Sequence, residues 1–79
     1  MSSSPILIVP GEKKSIFFEI FFKSLKAKRY KSPLIIICSK KLLKQQMKKF
    51  NFKKKIRLLD INLIRNYYLD NKVINVINV

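Results

Sequence analysis

Histidine and tryptophan are missing from this 79-residue chain, and glycine and cysteine occur once each, as Gly11 and Cys38. Each scarcity removes a class of chemistry. Without histidine there is no imidazole to act as a general base for Cys38 or to hold a zinc ion, so a small buried residue is the simpler account of that thiol. One cysteine also rules out an internal disulfide and suits a reducing compartment. A single glycine excludes both the three-glycine dinucleotide fingerprint and, with no Gly-Lys-Ser or Gly-Lys-Thr, the P-loop. Only four acids are present, Glu12, Glu19, Asp60 and Asp70. Glu12 and Glu19 lie seven positions apart with Glu12 ahead of the expected helix, so no carboxylate pair suggests itself.

Long apolar runs are lacking too. The cleanest, Pro5 to Pro10 and Pro33 to Cys38, fall well short of the roughly 20 residues that a membrane helix needs. The start of the chain, Met1 to Pro5, has neither the basic opening nor the small-residue cleavage site of a secretory signal. A cytoplasmic protein with no membrane partner is expected.

What the chain has in excess is lysine. Eighteen Lys and Arg against four Asp and Glu give a formal charge of +14, which favours nucleic acid, anionic surfaces or phosphorylated ligands. Composition offers a second cause. Lys, Ile, Asn, Phe and Tyr, all encoded by codons rich in A and T, fill 42 of the 79 positions. The lysines are spread over most of the length, as mutational bias alone would spread them. The hydrophobic fraction, 48%, is too high for intrinsic disorder, and the length allows one small domain.

The order of elements is readable from period and punctuation. Pro5 to Val9 (PILIV) is a branched apolar run ended by Pro-Gly, hence a buried strand and a turn. From Lys14 to about Arg29, Phe17, Ile20, Phe21 and Leu25 recur at helical spacing and predict a helix buried on that side. Ser32-Pro33 breaks it, because the residue before proline is forced from the helical region, and Leu34 to Cys38 (LIIIC) follows as a fully apolar strand. Ser39 is placed to cap a second helix whose Leu43, Met47 and Phe50 form the core stripe. Lys55 to Leu59 predicts a third strand, Asp60 to Tyr68 a short helix or loop, and Val73 to Val79 a fourth strand.

Strand and helix in alternation predict an α/β fold with a mainly parallel sheet, expected here as the βαβαβ portion of an α/β/α sandwich. Two helices over four strands should leave one sheet face largely bare. Residues 1–79 are therefore expected to be a single, incomplete α/β domain that buries its remaining face against further polypeptide.

Two stretches carry candidate function. In open α/β sheets, ligands bind outside the carboxyl ends of the strands. The turn after the first strand lies there and holds Gly11 and Glu12. Gly11 either permits a sharp turn close to a ligand or is a plain turn residue, with Glu12 favourably near the helix dipole. The second stretch, KKFNFKKK (Lys48 to Lys55), interleaves Phe50 and Phe52 with lysines. That pattern serves single-stranded nucleic acid through stacking and phosphate contact, or else closes a helix with core aromatics and a solvated basic end.

The stretch PGEKKSIFFE resembles the opening of the 4-hydroxythreonine-4-phosphate dehydrogenase family, in which a first strand leads into a Pro-Gly-Glu-Pro-Ala-Gly-Ile-Gly-Pro-Glu type of turn. Pro10, Gly11, Glu12, Ile16 and Glu19 match; Lys13, Lys14, Ser15, Phe17 and Phe18 depart from it, and two family glycines are lost with them. The following SPLIIICSKKLLKQQMKKFNFKKKIRLL is similar to the family's second strand, second helix and third strand. The resemblance spans nearly all of this chain but only about the first quarter of a family member. It implies an isocitrate/isopropylmalate dehydrogenase-like sandwich and NAD-dependent oxidation of 4-phosphooxy-L-threonine in pyridoxal 5'-phosphate biosynthesis. It further implies a homodimer and a divalent metal held by histidines that lie well beyond this segment. Gly11, Glu12 and Ser15 would then line the substrate site. No catalytic residue and no metal ligand is expected among these 79 residues, which would be a truncated or split family member, inactive alone and completed by the remainder of the fold or a complementing chain.

Overall fold

The computed structural model describes residues 5–28, 31–66 and 68–79. The opening residues 1–4, expected to carry no secretory signal, and the expected helix end at Arg29 lie outside them. Four strands, β1 (Ile6–Ile8), β2 (Leu34–Cys38), β3 (Ile56–Leu58) and β4 (Ile74–Asn78), form one sheet in the order β1-β2-β4-β3. All three pairings are parallel, with Ile6 opposite Leu34, Ile36 opposite Val76 and Ile56 opposite Ile74. The α/β class and the parallel sheet expected from the alternating pattern are thus present. The fourth strand inserts between the second and third, so the two longest strands are central and the two shortest form the edges.

Helix α1 (Lys14–Lys26) and helix α2 (Lys40–Lys49) both cover the same face. Their buried Phe18, Phe21, Phe22, Leu25, Leu43 and Met47 meet Leu34, Ile36 and Cys38 of β2 and Ile74 and Val76 of β4. These strand positions share one parity, as the two-residue period of a strand requires. The stripe on α1 is rotated from the expected one. Ile20 is 60% exposed and Phe17 only half-buried, while Phe18 and Phe22 sit in the core. With six apolar residues among the seven from Ile16 to Phe22, the wheel does not select a face; contact with the sheet does.

The alternate positions face the other way. There Ile35 and Ile77 are buried with Leu59, and Leu69 packs beside them. This cover comes from the segment joining β3 to β4, which contains a 3-10 helix (Ile61–Asn66). Arg57 of β3 holds the segment by donating to the Tyr68 carbonyl at 2.9 Å. Asn75, also on this face and buried, donates to the carbonyls of Leu34 and Asp70. The expectation of a largely bare second face is therefore corrected: its centre is closed, while Leu7 on the β1 edge and Ile61, Leu63 and Tyr68 of the covering segment stay exposed.

The start of α2 is capped both locally and from a distance. Ser39 Oγ accepts from the Leu42 backbone N–H at 2.9 Å, the expected cap, and Asn78 Oδ1 at the end of β4 accepts from the Lys40 N–H at 2.7 Å. Two of the four N–H groups that an α2 N-terminus leaves unpaired are thereby satisfied. Helix α2 is followed by Asn51 in the left-handed region (φ 52°), which asparagine tolerates, and α1 by Lys28 at φ 54°, a costlier choice for a side chain with a long stem.

Candidate functional site

The turn singled out in the sequence emerges where expected, at the carboxyl end of β1, and leads into α1 at Lys14. The Lys14 N–H donates to the Glu12 carbonyl at 3.0 Å and the Phe17 N–H to that of Lys13 at 3.1 Å, so the helix begins three residues after the glycine. Lys13 occupies the cap position without a side-chain cap hydrogen bond. Glu12 lies ahead of the helix, as read from the sequence.

Gly11 does not meet a backbone requirement of its own. Its φ is outside the left-handed region, and a Cβ built on it would meet nothing within 4 Å. The turn could carry another residue without strain, so a ligand pressed against the glycine backbone is not something the local geometry demands.

Two further groups reach this rim. Cys38 ends β2 there, free and buried. Burial pushes its thiol above the ordinary value, and the nearby Lys14 ammonium pulls against that shift. A thiol held protonated at neutral pH and lacking a histidine base is a packing residue, in line with its expected role. The other group is Lys49, whose Nζ donates to Ser15 Oγ at 2.8 Å. The two stretches picked out separately in the sequence therefore meet: a lysine from KKFNFKKK holds the hydroxyl of the rim serine.

The aromatic half of KKFNFKKK points inward. The Phe52 ring stacks on Phe22 of α1 with centroids 4.6 Å apart and planes 10° from parallel, and Phe50 meets Phe22 edge-on at 6.1 Å. Both rings are half-buried against the helix-side core. A base could not stack on the Phe52 face that Phe22 already covers. What stays open to a nucleic acid is the lysine set, with Lys49 shared between Ser15 and the Phe50 ring, 5.5 Å from its centroid.

Metal chemistry finds no donor set among the described residues. Among the described residues no three of His, Cys, Asp and Glu gather, and the carboxylate nearest the turn, Glu12, has no second acid near it in sequence. The described residues therefore do not fit a divalent metal by themselves, and the resemblance places its histidine ligands beyond this segment. Among the described residues, no helix is long and apolar enough to cross a membrane. Comparisons with protein-family models, with curated proteins and with solved structures find no match to this chain.

Proposed function

We propose that this chain is the opening βαβαβ portion of an isocitrate/isopropylmalate dehydrogenase-like sandwich of the 4-hydroxythreonine-4-phosphate dehydrogenase family, and that it has no dehydrogenase activity alone. The observation that carries the reading is the position of the Pro-Gly-Glu turn: it leaves a parallel strand at the carboxyl rim and runs directly into a helix. That is where a sheet of this class offers backbone N–H groups to an anion. Gly11, Glu12 and Ser15 are the residues assigned to the substrate, with Lys13 and Lys14 supplying positive charge beside a phosphorylated ligand. Ser15 is already oriented by Lys49. NAD and the divalent metal belong to histidine-bearing residues outside these 79, since no histidine lies within them. The partners are the remainder of the fold and a second such subunit, in the cytoplasm.

The test is complementation. A family enzyme lacking its own first strand through fourth strand is co-expressed with this chain and supplied with 4-phosphooxy-L-threonine, NAD and a divalent metal, and NADH formation is followed. Activity is expected only from the pair, and Ser15→Ala should lower it chiefly through a higher KM. A pair that co-purifies yet stays inactive, or two pieces that never associate, removes the assignment.

A further inference from the structure

On the opposite edge of the sheet from β1, α2 overhangs β3. Lys40 and Lys44, one turn apart on α2, share an open cleft of about 380 Å³ with Lys54, which precedes β3; Met47 and Ile56 also line it. Residues 40, 44 and 47 follow one face of the helix, which explains why a single wall carries both lysines and the methionine. Lys40 and Lys54 are half-buried, and none of the three ammonium groups has an ion-pair partner among the described residues. Three like charges around one small cleft repel one another, and an anion that enters relieves that repulsion.

We propose that this cleft is a binding site for a small phosphate monoester with an apolar or aromatic body. The lysines take the dianion from opposite walls, and Met47 and Ile56 take the carbon portion. The volume lies within the lower part of the range of small-ligand sites, and the lining is more cationic than apolar, which suits a charged headgroup on a small carbon body. A single-stranded nucleic acid fits less well, because it relies on exposed stacking rings and Phe52 is committed to Phe22. The site is remote in sequence from residues 10–15 and does not rest on the family reading.

The full chain, isotopically labelled, is titrated by NMR with phenyl phosphate, with inorganic phosphate, and with a short single-stranded oligonucleotide. Phenyl phosphate should shift the Met47 methyl and the Lys44 and Ile56 amides saturably, and bind more tightly than inorganic phosphate. Lys44→Gln with Lys54→Gln should weaken it about tenfold, whereas Lys26→Gln with Lys28→Gln, an equal loss of charge elsewhere, should change it less than about twofold. Equal losses in the two double variants would reduce the effect to bulk charge and overturn the proposal. So would an absence of saturable shifts at Met47 up to about 10 mM ligand, where even a weak specific site would fill. Tighter binding of the oligonucleotide without movement of the Met47 methyl overturns it equally. The substituted lysines are exposed or half-buried, and unchanged spectra elsewhere report that each variant keeps its fold.

Discussion

The pairing of Phe22 with Phe52 decides whether the most basic stretch of the chain is built around the core or around a ligand, and it can be weighed directly. Phe22 is buried and touches four rings: stacked on Phe52, edge-on to Phe50, and tilted against Phe18 and Phe21. Replacing it by leucine keeps most of the apolar area and removes the ring contacts, a cost of about 1.5–2.5 kcal/mol when a shape change is added to lost aromatic pairing. Phe52→Leu, at a half-buried site, should cost about 1 kcal/mol on the same grounds. The double variant should be less damaged than the sum, by a coupling of about 0.5–1.5 kcal/mol, because the shared contact is lost only once. Such changes are large against the roughly 4–12 kcal/mol that a chain of this length commonly holds. The chain has no tryptophan, so urea unfolding is followed by far-ultraviolet circular dichroism with equal slopes required across the four proteins. Strict additivity, together with a stability-neutral Phe52→Leu, would mean that the rings are not in contact. If Phe52→Leu then also weakened oligonucleotide binding by the 1–3 kcal/mol typical of a stacked base, the basic stretch would be a nucleic-acid surface after all.

Three other outcomes are expected. Ser39→Ala removes the acceptor for the Leu42 N–H and should lower the urea-derived stability by about 1 kcal/mol; an unchanged midpoint would show that Asn78 alone caps α2. Gly11→Ala should be neutral or stabilising by up to about 1 kcal/mol, since its φ is not left-handed and its Cβ has open space, and a measured loss beyond that would restore a backbone role for the glycine. The thiol of Cys38 ionises at a higher pH in the folded chain than the ordinary value of 9.0. Below that pH both states keep the proton and the contribution is fully present; above it the unfolded state releases the proton first, so stability falls as pH rises until the folded thiol's own raised value is passed. Cys38→Ala should flatten that part of the profile, and iodoacetamide should label the native thiol slowly at pH 8; rapid labelling would contradict its burial.

The parts of this fold that sequence reveals are those decided locally. Leu34 to Cys38 was legible as a strand because an unbroken branched run is fenced by Pro33 and Ser39, and the cap at Ser39 because its partner is three residues away. The α1 face is legible only in part: Phe21 and Leu25 are buried as expected, but the run from Ile16 to Phe22 is apolar on nearly every side, and burial of Phe18 rather than Ile20 is settled by the sheet beneath. The cap that Asn78 gives α2 spans 38 positions and leaves no local trace. At the rim, the Pro-Gly-Glu turn and its place after β1 were readable, whereas the bond from Lys49 to Ser15 depends on how two helices pack. A unique glycine also proved a poor guide to backbone need, since composition alone can leave a chain with one.

The strand order explains why the molecule has two different edges. Crossovers between parallel strands are right-handed, so successive steps in one direction across a sheet place their connections on one face. From β1 to β2 and on to β3 the chain steps the same way, and α1 and α2 accordingly share a face. The return from β3 to β4 reverses direction, and its connection carries Leu59 and Leu69 to the other face, where they bury Ile35 and Ile77. That reversal also stretches α2 across β4 to reach β3, which brings Lys40 and Lys44 over Lys54 at the β3 edge while the β1 edge keeps Leu7 uncovered. Mutational bias can scatter lysines along a chain, but it does not choose this topology. The three that the fold gathers around a small, partly apolar cleft are the ones that the proposed anion site uses, and exchanging charge there against exchanging it at Lys26 and Lys28 separates the two origins of the chain's positive charge.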